Sequence, residues 1–205
     1  ISVNTGLEYS YTKNMDLKIS TYNKETNITR ITYENTGRLS ALILNANVNW
    51  PVTKRWTWQV NGNMAYFEGS GLVGDAEQTI SRAVLNFFSS TNYGFDGNWR
   101  AGANINYRSK GITQLQGVSN AYASCSFSLN KDFSKSGFSV GAVVNNPFTT
   151  YRENIVETVS PDFYELQNTK EYFRSFRVSV NYKFGGLKGS IKKNKRGIRN
   201  DDMSN

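Results

Sequence analysis

Histidine is absent from this chain of 205 residues, cysteine occurs once, proline three times, and no long apolar run is present. Each absence removes a class of function. Without an imidazole, hydrolysis by a Ser-His-Asp constellation has no base, and histidine-containing metal sites have no ligand. One cysteine can build neither an internal disulfide nor a thiolate cage. Cys125 alternates with Ala123, Phe127 and Leu129, the setting of a buried or lipid-facing small hydrophobe and not of an activated thiol. The longest purely apolar runs are Ala41-Leu42-Ile43-Leu44 and Ala142-Val143-Val144, far below the roughly 20 residues of a membrane-spanning helix. Ile1-Ser2-Val3-Asn4 begins directly in polar alternation, so any targeting segment is expected to lie upstream of it or to have been removed.

What is abundant points to strands. There are 12 Tyr, 12 Phe, 4 Trp and 17 Gly, with many Asn and Ser, a β-rich palette. The mean hydropathy of −0.54 would suit a soluble domain. A transmembrane barrel, however, alternates lipid-facing and lumen-facing residues and also averages low. The net charge of +8 is concentrated at one end. Residues 187–205 hold Lys188, Lys192, Lys193, Lys195, Arg196 and Arg199 against Asp201 and Asp202, which is +4 and half of the excess. No stripe of cations interleaved with aromatics follows, so nucleic acid is not an expected partner. The tail reads as a solvated extension, with attraction to anionic lipid as the next reading.

Period-two alternation recurs along the chain. From Arg55 to Phe67, Trp56, Trp58, Val60, Gly62, Met64 and Tyr66 fall on one face, and Thr57, Gln59, Asn61, Asn63 and Ala65 on the other. From Leu39 to Trp50, Leu42, Leu44, Ala46, Val48 and Trp50 oppose Asn45, Asn47 and Asn49. About nine strands are expected, near 3–12, 15–24, 36–50, 55–67, 79–91, 99–108, 121–130, 138–146 and 173–184, close to the ~10 residues of a tilted membrane strand. Short links around Lys13-Asn14, Pro51 to Lys54, Asn92 to Asn98 and Lys131 to Gly137 alternate with long ones, Glu25 to Asn35, Glu68 to Gln78, Ser109 to Asn120 and Pro147 to Tyr172. Short periplasmic turns and long external loops are the asymmetry of outer-membrane barrels. Counting back through nine strands places Ile1 at the external rim and predicts at least one preceding strand.

The expected fold is therefore all-β, an antiparallel up-and-down transmembrane barrel segment over residues 1–186, followed by a basic periplasmic tail over 187–205. Trp50, Trp56, Trp58, Trp99, Tyr107, Tyr182 and Phe184 stand where membrane-interface girdles would lie, and Asn45, Asn47, Gln59, Asn61, Asn104 and Asn106 are the lumen-lining candidates. The rival is a soluble β-sandwich binding module, whose strands alternate in the same way and whose core would absorb the aromatics. Gly69-Ser70-Gly71 with Gly74 precedes no Lys-Ser/Thr and reads as a flexible external loop, not a nucleotide loop. In the Pro147 to Tyr172 loop, Tyr151, Arg152, Phe163 and Tyr164 are the ligand candidates, suited to a polar or stacked ligand such as carbohydrate, chelate or peptide. A packed lid is the competing reading there. No spacing singles out a Ser-Lys dyad or paired carboxylates, so neither catalysis nor a cofactor is expected.

Phe176, Val178, Val180, Tyr182 and Phe184 form an apolar row ending in an aromatic, which resembles the terminal-strand signal of outer-membrane proteins. Phe184-Gly185-Gly186-Leu187-Lys188, Ile191 to Arg196, Asn200-Asp201-Asp202, Tyr33 to Gly37, Leu115-Gln116-Gly117, Asn145 to Phe148 and Ser160 to Tyr164 resemble the barrel family of Bacteroidetes TonB-dependent receptors. That resemblance implies energised import of a nutrient through a barrel of roughly 22 strands. It also implies partners: outer-membrane lipid, the rest of the barrel and a plug upstream, TonB through an N-terminal region, and a surface lipoprotein. A structural or adhesive barrel that does not transport is the alternative.

Overall fold

Alternating residues can satisfy their backbone only through neighbouring strands, and the chain does so almost throughout. The computed structural model describes residues 1–73, 76–134, 136–160 and 163–184. It contains twelve strands: β1 (Ser2–Asn23), β2 (Ile28–Pro51), β3 (Trp56–Val73), β4 (Ala76–Phe95), β5 (Trp99–Arg108), β6 (Gly111–Gln114), β7 (Gly117–Ser119), β8 (Tyr122–Phe133), β9 (Phe138–Asn145), β10 (Tyr151–Val159), β11 (Tyr164–Tyr172) and β12 (Ser175–Tyr182). Eight of them form one antiparallel sheet in the order β1-β2-β3-β4-β5-β8-β9-β12, and the other four form a small sheet ordered β11-β10-β7-β6. The architecture is thus all-β and up-and-down, as alternation predicts.

The turns at one rim follow from local chemistry. Thr53 Oγ1 accepts the backbone N–H groups of Arg55 and Trp56 at 3.2 and 3.0 Å, closing the reversal after Pro51. Gly97 and Asn98 take positive φ between β4 and β5, as a tight hairpin requires.

The expected break at Lys13-Asn14 does not exist. Lys13 pairs with Arg38, the register then shifts at Lys13/Met15 and again at Met15/Leu17, and β1 continues to Asn23. Asn14, at φ 53°, is the extra residue of a β-bulge. A bulge interrupts parity just as a turn does, so alternation alone could not tell them apart. The nine expected strands therefore become eight in the large sheet. Ser2 lies opposite Asn49 beside the Pro51 turn, and Tyr182 lies opposite Phe138, so both mark the same rim. The strand count that placed Ile1 at the opposite rim, and with it the inferred preceding strand, loses its basis.

The other rim differs too. The expected long links at 25–35 and 68–78 are mostly strand: β2 starts at Ile28, and β3 and β4 remain paired to Val73↔Ala76. Gly69-Ser70-Gly71 therefore lies in β3 and is not a loop. The links at 109–120 and 147–172 hold the β6–β7 and β10–β11 hairpins that build the small sheet. Residues 187–205, the expected tail, lie outside the described residues.

The small sheet folds over one face of the large one, here called the inner face. Leu17, Ile19 and Val73 form the buried cluster, with Met15 and Leu115 packed against it. The bulge makes this possible, because it turns Met15, Leu17 and Ile19 from the parity of the outer face to that of the inner. Gly71 and Gly37 leave room for Leu17, whose side chain occupies the space a Cβ would need at either position. The clustered hydrophobic core thus sits in the cap beneath the small sheet, and Ala41, Ala65 and Val84 are the further buried apolar residues among those described.

Candidate functional site

Cross-strand pairing fixes which side chains share a face. One outer row runs Leu7, Leu44, Met64 and Leu85 across β1 to β4. Farther along the sheet, Ala103, Phe127, Val144 and Phe176 form another across β5, β8, β9 and β12. Large apolar side chains in these rows are exposed to an extent that a water-soluble body of this size does not sustain: Leu7 is 72% accessible, Met64 50% and Phe176 74%. The small sheet packs on the opposite face, so the apolar rows of the large sheet are not the interior of a sandwich. That removes the soluble module.

Two indole N–H groups on the outer face find partners within the sheet. Trp56 Nε1 donates to Thr91 Oγ1 at 2.7 Å and Trp58 Nε1 to Ser89 Oγ at 2.8 Å. In hydrocarbon, where water offers no alternative, such pairing is what keeps indole and hydroxyl groups affordable.

The expected girdle aromatics all carry outer-face parity. Trp50 stacks on Trp58, with centroids 6.1 Å apart, Trp56 lies opposite Tyr93, and Trp99 lies opposite Phe95. Tyr182 contacts Phe138 at 4.4 Å and Phe184 at 4.5 Å. These residues cluster at the short-turn rim. Tyr107 stands apart, at the far end of β5 opposite Phe87. The eight residue steps from Trp99 to Tyr107 rise roughly 20 Å along the membrane normal for a strand tilted about 40°, close to the ~25 Å apolar band of such barrels. Cys125, opposite Ile105, lies within this face and is partly buried.

The inner face carries the amides. Asn45, Asn47, Gln59, Asn61, Asn104 and Asn106 all lie on it, in rows that cross the strands. Asn63 Nδ2 donates to Asn45 Oδ1 at 2.7 Å, and Asn86 Nδ2 donates to Asn63 Oδ1 at 3.3 Å; Asn86 in turn lies opposite Arg108. Asn104 Nδ2 donates to Ser126 Oγ at 3.1 Å. Neutral amides present donors and acceptors without net charge, so they hydrate a passage without repelling either sign of solute. Asn86 and Arg108 were not among the sequence-based candidates. Asn86 precedes the Phe87-Phe88 pair, where both parities are aromatic and the face of neighbouring residues is obscured.

Between this amide field and β6 lies a cavity of about 400 Å³. Leu39, Phe67, Ile80 and Leu115 give it apolar walls, while Asn63, Asn86 and Arg108 supply polar groups. A pocket of that size and mixed lining fits a small amphipathic solute.

The loop candidates are drawn into structure and do not converge. Tyr151 pairs with Tyr172 across β10–β11, with ring centroids 4.8 Å apart. Arg152 bonds Glu171 and lies 5.2 Å from the ring centroids of both Tyr122 and Phe173. Phe163 meets Tyr22 edge-on at 6.5 Å, bracing the hairpin against the β1–β2 ribbon. Tyr164 is exposed; desolvation first, then its hydrogen bond to Glu157 and that residue's charge, raise its pKa above the usual phenol value. Arg152 and Phe163 thus serve the packed-lid reading.

Two asparagines fasten this lid. Asn146 Oδ1 accepts from Cys125 N and Asn146 Nδ2 donates to Phe173 O, both at 2.9 Å. Asn120 Nδ2 donates to Glu153 O, and Ile155 N donates to Asn120 Oδ1, again at 2.9 Å. Each side chain imitates a stretch of strand.

No curated protein and no solved structure matches the chain. The sheet with an apolar exterior, an amide-lined interior and a hairpin cap nevertheless has a family: the model of the outer membrane protein beta-barrel family matches residues 1–182, and the chain belongs to that family.

Proposed function

We propose that this chain forms part of the wall and the external cap of a TonB-dependent transporter that imports a nutrient across the bacterial outer membrane. The observation that carries the reading is the amide-rich field on the inner face, from Gln59 and Asn104 up to Asn63, Asn86 and the capped cavity and broken only by Phe88 between Asn61 and Asn106, backing an exterior that contacts lipid. A barrel serving only as a scaffold or adhesin has no need of a hydrated path leading to a sheltered pocket. The cap would receive the ligand, the amides would replace part of its hydration shell, and a plug contributed by other parts of the receptor would open when pulled through TonB. In this reading the partners are outer-membrane lipid, the rest of the barrel, the plug, TonB and a surface lipoprotein. The segment itself catalyses nothing, needs no cofactor, and its basic tail lies in the periplasm. A Bacteroidetes origin belongs to the same reading and is supported by the motif resemblance alone.

The test is growth of a deletion strain on single nutrient sources, with uptake of the affected nutrient measured in the presence and absence of TonB. A defect on a defined nutrient that loss of TonB reproduces supports transport. Normal growth on all sources, together with lost surface attachment, identifies the adhesive barrel instead.

A further inference from the structure

The outer face changes chemistry in ordered steps toward the capped rim. Above the row Leu7, Leu44, Met64 and Leu85 come Tyr9, Leu42, Tyr66 and Ala83, then Tyr11, Ser40, Glu68 and Ser81, and then Lys13, Arg38, Ser70 and Thr79. Two cations thus stand directly opposite each other and share a row with two hydroxyls.

Like charges in directly opposed positions repel unless something neutralises them. Among the described residues, neither Lys13 nor Arg38 lies within 4.0 Å of a carboxylate oxygen. Lys13 Nζ instead rests 5.8 Å from the Tyr11 ring centroid. A shallow cleft of about 440 Å³ runs past Arg38, Ser40, Ser70 and Thr79, with Glu68 at its lower side. Asn14 bulges immediately after Lys13, so Lys13 is the last residue of β1 to keep the parity of the outer face.

Height decides what anion would come here. Arg38 is twelve residues along β2 from the rim aromatic Trp50, roughly 31 Å along the membrane normal for a strand tilted about 40°. That is just beyond the apolar band of ~25 Å, at the level of headgroup phosphates, on the side of the long connections that faces outward from the cell.

We propose that Lys13, Arg38 and Ser70, on three adjacent strands, bind the phosphate of an anionic glycolipid in the external leaflet, whose acyl chains lie on the Leu7, Leu42, Leu44 and Met64 strip below. The cations supply charge, Arg38 and the Ser70 hydroxyl supply directed donors, and the strip supplies the apolar contact that a free anion could not use. Glu68, one row lower, repels the phosphate from below and sets its height. The inference rests on the outer-membrane fold and is independent of the transport reading.

The experiment uses the full-length protein in detergent, titrated with purified lipopolysaccharide, with its dephosphorylated form, and with inorganic phosphate. The native protein binds the phosphorylated lipid, and the double variant Lys13→Gln/Arg38→Gln weakens that binding about 30-fold, the effect of two cations beside an anionic surface. Lys110→Gln, away from the row, leaves binding unchanged. Should the double variant not fold, the ligand-side arm decides: dephosphorylated lipid must bind the native protein at least about tenfold more weakly. Equal binding by native and double-variant protein overturns the proposal. So does equal affinity for the dephosphorylated lipid, or displacement by inorganic phosphate at the lipid's own concentration, which would mark a site for free anions. Nutrient uptake, measured alongside, separates this result from the fate of the transport reading.

Discussion

Ala103 lies at the middle of the outer face, four positions beyond Trp99 and four short of Tyr107 on β5, with Phe127 opposite it. Four residues of a strand tilted about 40° rise roughly 10 Å along the normal, so Ala103 stands about that far from either interfacial aromatic and near the bilayer midplane. An arginine there places its charge where neither headgroups nor water are close, at a cost of about 2 to 4 kcal/mol, a factor of roughly 30 to 900 in the folded-to-unfolded ratio. Ala101, two residues nearer the rim and still on the outer face, allows the same side chain to reach the interface, and its substitution costs about 1 kcal/mol. Asn104, the next residue along but on the inner face, loses only its hydrogen bond to Ser126, again about 1 kcal/mol. Urea unfolding of the full-length protein in phospholipid vesicles, followed by tryptophan fluorescence, measures all three. The order Ala103→Arg far above Ala101→Arg and Asn104→Arg is expected. If Asn104→Arg proves the costliest, or Ala103→Arg is harmless, the apolar rows do not face hydrocarbon and the assignment of faces is wrong.

Gly71→Ala puts a methyl group where the Leu17 side chain lies and is expected to cost about 1 to 3 kcal/mol by overpacking the cap core; the same urea titration reads it, and a Gly71→Ala/Leu17→Ala pair should cost less than the two singles summed. Asn146→Ala leaves Cys125 N and Phe173 O without their partners and keeps a non-glycine residue at φ 48°, a loss of about 2 to 4 kcal/mol, seen as faster proteolysis between residues 147 and 173 while the strands stay protected. Arg152→Lys retains the charge but loses the planar contacts with Tyr122 and Phe173; hydrogen exchange in β10 and β11 should rise by an amount corresponding to about 1 kcal/mol, and Arg152→Ala should raise it further.

Much of this molecule is written in its alternation. The opposition of Leu42, Leu44, Val48 and Trp50 to Asn45, Asn47 and Asn49 assigns faces without any knowledge of partners, because a strand offers only two sides. The six amides read as lumen-lining share one face, and the outer aromatics share the other parity. Local patterns could not resolve the bulge at Asn14, since a shift of parity has the same signature whether the chain reverses or continues. The choice was made by the neighbour: β2 offers Gly37 and a compensating irregularity of its own, so the ladder resumes at Leu17↔Glu34. The placement of the loop candidates was hidden for a related reason. Tyr151, Arg152, Phe163 and Tyr164 look available when read in series, yet β10 and β11 pair with each other and with β7, which occupies Arg152 and sets Phe163 against Tyr22.

The sequence by itself determined that the chain forms strands, which residues share a face, and that one face is apolar and the other rich in amides, because these are properties of a period of two. Tertiary structure alone decided that the amide face is the one the small sheet covers, that Leu17 and Ile19 leave the outer row to form the cap core, and that Lys13 meets Arg38 beside Ser70 and Thr79. Those outcomes depend on register between residues far apart in the chain, and register is a matter of which strands meet, which no single segment contains.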